Sequence, residues 1–291
     1  MQLGVSLLNN QGIDDVHALV DLAVRAEELG IDSVWVHDHV FNVGHVLDRI
    51  GGRPYYEPLA LLGFVAARTS RVRLGTSVLV LPYHNAVRLA KTAATLDVLS
   101  RGRLILGVGV GLIEQEMRAL GSPFAERGAL TDEAIAVMRT LWTEDEPRFD
   151  GRYHRFAGMK FSPKPLQQPA IPIVVGGISR AAIRRAARLG DGWHPLGMSP
   201  ESLAGGMATL RAEAIAAGRD PATIPVSIAM TLGPSTPRRA ALGQTPTEIV
   251  RNAQAYATLG VDTLVISAGT VDPREARSTL AMIANDLLPA L

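Results

Sequence analysis

The sequence predicts an α/β protein that forms a single (β/α)8 TIM barrel over residues 1–291. Short β-branched runs alternate with longer amphipathic segments in about eight successive units. The joints between a helix and the next strand repeat as well, as in AEELGIDSVWV, AARLGDGWHP and YATLGVDTLVI. Each joint offers a glycine to cap the helix, then an acidic residue and a new strand. Such joints require parallel strands with crossover helices, and eight units favour a closed barrel over the alternative, a doubly wound open sheet.

The units follow one another in order along the chain. The predicted strands lie at residues 3–8, 33–37, 72–80, 103–109, 171–175, 191–196, 224–230 and 261–267. The predicted helices lie at 14–29, 57–69, 85–100, up to 142 with a break near 121–124, at 179–190, from 199, at 245–260 and at 272–288. The last two helices begin with clear capping signals, since Thr245–Glu248 and Asp272–Glu275 each combine a capping residue, a proline and a glutamate.

One segment, residues 144–169, interrupts this alternation. It contains Asp150-Gly151, a hairpin signal between aromatic residues, and then a proline-rich stretch. We interpret it as an insertion after the fourth unit that covers the site, and not as a boundary between domains.

Composition and charge exclude several classes of function. The net charge is +1 with no block of like charges, so nothing predicts binding to nucleic acid or to an anionic membrane. The chain has no cysteine, which excludes disulfides, thiolate zinc sites and cysteine nucleophiles. Neither a signal peptide nor an apolar run of membrane-spanning length is present, and a cytoplasmic location is therefore expected.

The fourth predicted strand ends in a glycine-rich run, RLILGVGVGL at residues 103–112. The dinucleotide fingerprint G-x-G-x-x-G fits in neither register, because Leu112 or Glu114 takes the place of the third glycine. No Gly-Lys-Ser/Thr follows, which excludes the phosphate loop of nucleotide hydrolases. In a barrel this run lies at the carboxyl end of a strand, where active sites are built. The glycines then either let a flat ligand approach the backbone or allow tight packing at the barrel mouth.

Other strand ends carry polar groups that could bind or react. The second ends in His37-Asp38-His39, the third in the segment 77–82 and the sixth in His194, whereas the eighth ends in Ser267-Ala268-Gly269, which offers none of the further ligands of a metal-dependent hydrolase. The fifth ends in Gly176-Gly177-Ile178-Ser179 at the start of a helix. Unpaired N–H groups and the helix dipole make that turn a candidate phosphate site, although an ordinary capped glycine turn is the alternative.

These strand ends and their surroundings resemble the luciferase-like flavin/deazaflavin oxidoreductase superfamily, and most closely its coenzyme F420-dependent branch. The resemblance covers nearly the whole chain. It rests on SVWVHDHV, on the stretch from YEPLALLGF to LILGVGVG, on PIVVGGISRAAIRRAARLGDGWHP and on GQTPTEIVRNAQAYATLGVDTLVIS. The resemblance implies a barrel of the bacterial luciferase-like type, hydride transfer between F420 and a small organic substrate, and a homodimer.

The resemblance also implies which residues hold the cofactor. A bulge with a cis peptide at Ser77-Val78 would back the tricyclic ring, Asp38 would approach its polar edge, and Gly109-Val110 would hold the ring edge. The phosphate would bind at the strand-five turn, comprising Gly176, Gly177, Ile178 and Ser179. No metal is expected.

His39 corresponds to the catalytic base or substrate contact of alcohol-oxidising members of this branch. Its reference pKa near 6.5 allows either proton role at neutral pH. The sugar-phosphate dehydrogenases of the branch carry a glutamate where this chain has Leu112. That departure argues against sugar-phosphate oxidation, and it predicts that His39 lacks an acidic companion.

Three other functions remain as alternatives. Within the resemblance, the protein could be an FMN-dependent monooxygenase that uses reduced flavin, or a flavin or deazaflavin binding protein without catalytic activity. From another class, His37 and His39 are spaced like the two-histidine metal pair of barrel hydrolases. Such hydrolases place that pair on the first strand and need further ligands at later strand ends.

Overall fold

A computed structural model of the chain describes residues 1–237, 239–268, 270 and 272–291. Gly269, at the end of the eighth predicted strand, lies outside these residues. The strands are β1 Gln2–Ser6, β2 Ser33–Val36, β3 Arg73–Thr76, β4 Leu79–Val80, β5 Leu104–Gly109, β6 Phe149–Asp150, β7 Arg155–Phe156, β8 Ile173–Gly176, β9 Gly192–His194, β10 Ser227–Thr231 and β11 Thr263–Ser267.

The parallel strands form the barrel that the sequence predicts. Their order is β10-β11-β1-β2-β3-β5-β8-β9, with β4 paired to β5. Parallel bridges between Trp193 and Val226 and between Leu196 and Ala229 join the two ends of this order. The (β/α)8 fold is therefore confirmed, and the carboxyl ends of all strands meet at one face, here called the mouth.

Ten helices surround the strands within the described part of the chain. They are α1 Val16–Glu28, α2 His45–Ile50, α3 Pro58–Arg68, α4 Ala86–Leu99, α5 Glu114–Ala119, α6 Arg127–Thr143, α7 Arg180–Leu189, α8 Pro200–Ala216, α9 Pro246–Thr258 and α10 Pro273–Met282. The capping box predicted at Thr245 and Glu248 is present. Two features differ from the sequence prediction: α2 forms within a predicted loop, and the third predicted strand divides into β3 and β4.

The insertion forms the predicted hairpin, since β6 and β7 pair antiparallel. The Glu133 carboxylate of α6 accepts hydrogen bonds from the backbone of Arg152, Tyr153 and His154. Farther along, Gln167 binds Asp97 of α4. The segment thus packs along the outer helices, and the expectation that it covers the site stays a prediction.

The barrel interior is filled by a layer of large and small side chains. Trp35, Ile105, Val174, Ala229 and Val265 come from five strands and form one buried cluster. The indole of Trp35 occupies the space over Gly75, where a Cβ would lie 2.3 Å from the ring atom Cε3. Glycine on β3 therefore makes room for the tryptophan on β2.

We expect Gly75→Ala to lower the free energy of unfolding by about 1–3 kcal/mol, because the methyl group must displace a buried indole. Gly63→Ala is the matched control, since Gly63 lies in α3 and a methyl group there would meet no other atom within 4 Å. Alanine at this position should raise stability by up to about 1 kcal/mol through helix propensity. Urea denaturation measures both values, and equal stability of the two variants would contradict this account of the packing.

No helix in the described residues is both long and apolar enough to cross a membrane.

Candidate functional site

The floor of the mouth is formed by the bulge between β3 and β4. The Ser77–Val78 peptide is cis, as the family resemblance predicts. The side chain of Val78 fits into the space left by two glycines of neighbouring strands. A Cβ on Gly109 would lie 2.7 Å from Val78 Cγ2, and one on Gly176 would lie 2.7 Å from Val78 Cγ1. Val78 is half-buried and forms an apolar platform at the centre of the mouth.

The glycine run on β5 makes room for neighbouring protein atoms. These atoms occupy the positions that a Cβ would take at Gly107, Gly109 and Gly111, which is the tight packing that the sequence offered as one of two explanations. The other explanation, the approach of a flat ligand to this backbone, stays a prediction. A Cβ on Gly107 would collide with the Thr76 carbonyl oxygen, and one on Gly111 would lie 2.5 Å from side-chain atoms of α5 and β4. The absence of side chains at these glycines allows the bulge between β3 and β4 to lie deep in the barrel. Val110, beside them, is half-buried at the end of β5.

Beneath the platform two histidines join a buried polar network. The ring of His37 lies 3.0 Å from Ser6 Oγ and donates from Nδ1 to the Ser77 carbonyl at 2.6 Å. His194 Nε2 lies 2.8 Å from Ser77 Oγ, and its Nδ1 lies 2.7 Å from Ser227 Oγ. Burial lowers the pKa of each histidine to about 4, so both are neutral at physiological pH. They hold the bulge in place and are structural.

Asp38 is buried at the side of the mouth. Its Oδ2 accepts hydrogen bonds from the Val80 N–H at 2.9 Å and from His84 Nε2 at 2.7 Å. Burial alone would lower the pKa of His84, but the hydrogen bond and charge of Asp38 outweigh it and raise that pKa. Asp38 thus fastens the bulge strand to the loop after β2, and His84 is a partner that the sequence did not reveal.

His39 has an acidic companion, contrary to the sequence prediction. Its Nδ1 lies 2.8 Å from Oε2 of Glu116, a fully buried residue of α5. Leu112, which replaces the glutamate of the sugar-phosphate dehydrogenases, is 81 % exposed. The carboxylate that contacts His39 therefore comes from Glu116, four residues after Leu112 and beyond the glycine motif.

The surroundings of Glu116 keep its carboxylate ionised. Burial alone would raise its pKa, but hydrogen bonds from His39, Tyr83 and the backbone of Phe41 and Val40 lower it to about 2. An ionised carboxylate accepts the Nδ1 proton of a neutral imidazole. The Nε2 atom of His39 is then the unprotonated nitrogen, and no described group hydrogen-bonds to it. This arrangement has the form of a base held by a carboxylate.

Two tyrosines complete the wall around His39. Tyr83 donates to Glu116 Oε2 at 2.7 Å, and the ring of Tyr55 meets the His39 ring edge-on at 5.7 Å. Burial, the hydrogen bond to Glu116 and the charge of Glu116 raise the pKa of Tyr83, so its hydroxyl stays protonated and donates to that carboxylate. No sequence signal separates Glu116 from its neighbour Glu114; helical phase decides that one is buried and the other exposed.

The turn after β8 has the geometry of an anion site. Gly177 has φ +107°, a conformation that favours glycine, and Trp193 Nε1 donates to its carbonyl at 2.9 Å. Ser179 caps α7 by accepting from Ala182 N–H. No described acceptor pairs with the backbone N–H groups of Ile178 and Ser179, and both residues are exposed.

The described residues around His37 and His39 do not form the ligand set that the two-histidine metal hypothesis requires. Both ring nitrogens of His37 are engaged by Ser6 and Ser77, and Nδ1 of His39 is engaged by Glu116. In the part of the chain that the structure describes, no three His, Cys, Asp or Glu side chains are grouped to hold a metal ion.

Comparisons with known proteins agree with this architecture. Residues 1–257 match the profile of a family described as luciferase-like monooxygenase. An F420-dependent glucose-6-phosphate dehydrogenase of Amycolatopsis mediterranei is 41% identical over 179 residues, which cover 60% of this chain and 52% of that protein. The chain thus spans about half the length of the curated dehydrogenases that it matches.

Solved structures share the fold over almost the full chain. An F420-dependent secondary alcohol dehydrogenase in complex with an F420-acetone adduct superposes with a TM-score of 0.83 at 21% identity, covering 99% of this chain and 98% of that one. A monooxygenase from Streptomyces bottropensis superposes with a TM-score of 0.82 at 24% identity, covering 99% of both chains. At these identities the likeness concerns the fold.

Proposed function

The chain belongs to the luciferase-like monooxygenase family, and from that premise we propose that it is a coenzyme F420-dependent oxidoreductase. In this proposal it transfers a hydride between the deazaflavin and a small organic substrate. The pairing of His39 with Glu116 carries the proposal, because it places a proton acceptor at the mouth of the barrel. The relatives named as F420-dependent dehydrogenases support the choice of cofactor.

The residues present fit such a cofactor in two places. The backbone N–H groups of Ile178 and Ser179, which have no described acceptor, suit a phosphate, because the amino end of α7 adds its dipole to them. The apolar surface of Val78 suits the face of a flat ring. Asp38 is held beside this surface, because its carboxylate accepts a hydrogen bond from the Val80 N–H. Gly109 and Gly176 contribute by seating Val78.

Residues of the chain itself would accept and donate the proton that is transferred in the reaction. The deazaflavin, when bound, supplies or accepts the hydride. His39 Nε2 would take the hydroxyl proton of an alcohol during oxidation, or return it to a carbonyl during reduction. Glu116 would hold the imidazole in the tautomer with a free Nε2 and stabilise its protonated form. Tyr83 fixes the carboxylate in turn.

The decisive experiment is a titration of the chain with F420 and, separately, with FMN. We expect F420 to bind with low-micromolar or better affinity and FMN to bind much more weakly. Gly177→Asp should weaken F420 binding, because it places a carboxylate against the phosphate and a side chain at positive φ. Gly158→Asp is the control, since Gly158 also has positive φ but lies in the insertion, away from the mouth.

Two outcomes of that titration would count against the proposal. Tight binding of FMN without F420 would favour the FMN-dependent monooxygenase. Unchanged F420 affinity in Gly177→Asp would show that the phosphate lies elsewhere. The homodimer and the cytoplasmic location implied by the sequence stay predictions.

A further inference from the structure

An open groove of about 800 Å³ lies between α7 and α8 on the outside of the barrel. Its lining starts at Ile178, in the turn after β8, and extends to Ala216 at the end of α8. Both helices begin at the mouth, because each follows a strand whose carboxyl end lies there. The groove therefore leads from the candidate phosphate turn outward, away from His39.

The floor of this groove is made of small residues of α8. They recur at helical spacing and are Ser202, Gly205, Thr209, Ala212 and Ala216. A Cβ on Gly205 would meet no other atom within 4 Å, so the floor is open at this point. Larger side chains on the opposite face of the helix, among them Leu203 and Leu210, are buried and anchor it to the barrel. The groove thus has room for a narrow, extended ligand.

The wall of the groove on α7 is strongly basic. Arg180, Arg184 and Arg188 are exposed and stand four residues apart, so they follow one face of the helix over about 12 Å. Arg180 lines the groove directly. Arg184 Nε and Arg188 Nη2 lie 3.4 Å and 3.7 Å from the carboxylate of Glu213, which also lines it.

The positive charge of this wall is only partly neutralised. Among the described residues that line the groove, Glu213 is the single acidic side chain, and it faces three guanidiniums. Arg180 forms no salt bridge with a described residue. A ligand that complements the groove is therefore long, narrow and negatively charged at more than one point.

We propose that the groove between α7 and α8 binds the glutamate tail of coenzyme F420, with Arg180 and Arg184 pairing with its carboxylates. The inference rests on the proposed function and deepens it. F420 continues beyond its phosphate as a chain of glutamates, which supplies carboxylates at intervals. With the phosphate on the N–H groups of Ile178 and Ser179, this chain starts beside Arg180 at the amino end of α7. Guanidinium groups suit the recognition of carboxylates.

The test is a fluorescence titration of the chain, at low ionic strength, with two forms of F420, one without glutamates and one with several. We expect the tailed form to bind about tenfold more tightly, since several exposed ion pairs of modest strength add together. Arg180→Gln and Arg184→Gln should each weaken binding of the tailed form about two- to fivefold and leave binding of the tail-less form unchanged. Gly205→Glu should act in the same direction, because it adds a carboxylate to the floor without a clash.

Arg211→Gln is the control, because Arg211 is exposed on α8 outside the lining of the groove. Its replacement should change the affinity for neither form. Ionic strength provides a second check. The difference between the two forms should disappear in about 1 M salt, where charges at exposed sites are screened within about 3 Å.

Equal affinity of the wild type for the two forms would overturn the inference and leave the proposed function intact. A loss of the same size for both forms in Arg180→Gln and Arg184→Gln would also overturn it, because these side chains would then act on the phosphate or the ring. So would an equal effect in Arg211→Gln, which would indicate a general effect of net charge. Failure of both forms to bind would refute the proposed function, and this inference with it.

Discussion

The His39→Asn variant is expected to turn over its substrate roughly a hundred to ten thousand times more slowly than the wild type, which is the usual range for general acid–base catalysis. Asparagine can still donate a hydrogen bond to Glu116, but it offers no atom that takes a proton. The affinity for F420 should stay within a few-fold. The measurement is the loss of deazaflavin absorbance with a substrate found by screening alcohols, together with a separate F420 titration.

His17→Asn is the matched control for this change. His17 lies on α1 in the outer ring, where it meets the ring of Phe64 edge-on at 5.8 Å, and its replacement should leave turnover unchanged. Near-full turnover in His39→Asn would refute the assignment of a proton role to His39, which would then be a wall of the pocket.

The second large effect is expected for Glu116→Gln, which should lower turnover about a hundredfold. A neutral amide no longer selects the His39 tautomer with a free Nε2, nor does it stabilise the protonated ring. The loss should appear mainly in kcat, since Glu116 is fully buried and cannot contact substrate directly. Glu114→Gln is the control, because that carboxylate is exposed on the same helix and pairs with Arg118.

The same variant should alter the dependence of stability on pH. The pKa of Glu116 falls from 4.5 to about 2 on folding, so its stabilising contribution is complete above 4.5. It is lost as the pH falls from 4.5 towards 2. Urea denaturation between pH 6 and about 3 should therefore show a steeper acid loss for the wild type than for Glu116→Gln. Parallel curves for the two proteins would contradict an ionised, hydrogen-bonded Glu116.

The sequence by itself determined that the chain forms a barrel and which residues lie at the carboxyl ends of its strands. Strand and helix periodicities are local properties of the sequence, and a glycine or proline at a joint acts on its immediate neighbours. Patterns such as Thr245–Glu248 therefore specify where a helix begins without knowledge of the fold. His39, Asp38 and the glycine turn at Gly177 could be placed at the mouth for the same reason. Every parallel strand of a barrel ends on one face.

Only the tertiary structure decided what these residues touch. Val78 fills the space at Gly109, and Glu116 meets His39 across 77 positions of the sequence. Each contact depends on helical phase or on a side chain from a distant loop. A sequence motif contains neither the helical phase nor the position of a distant loop. It records which residues are neighbours along the chain, and not which face of the fold they present. The partners of the site are therefore set by packing, whereas its location is set by the order of strands.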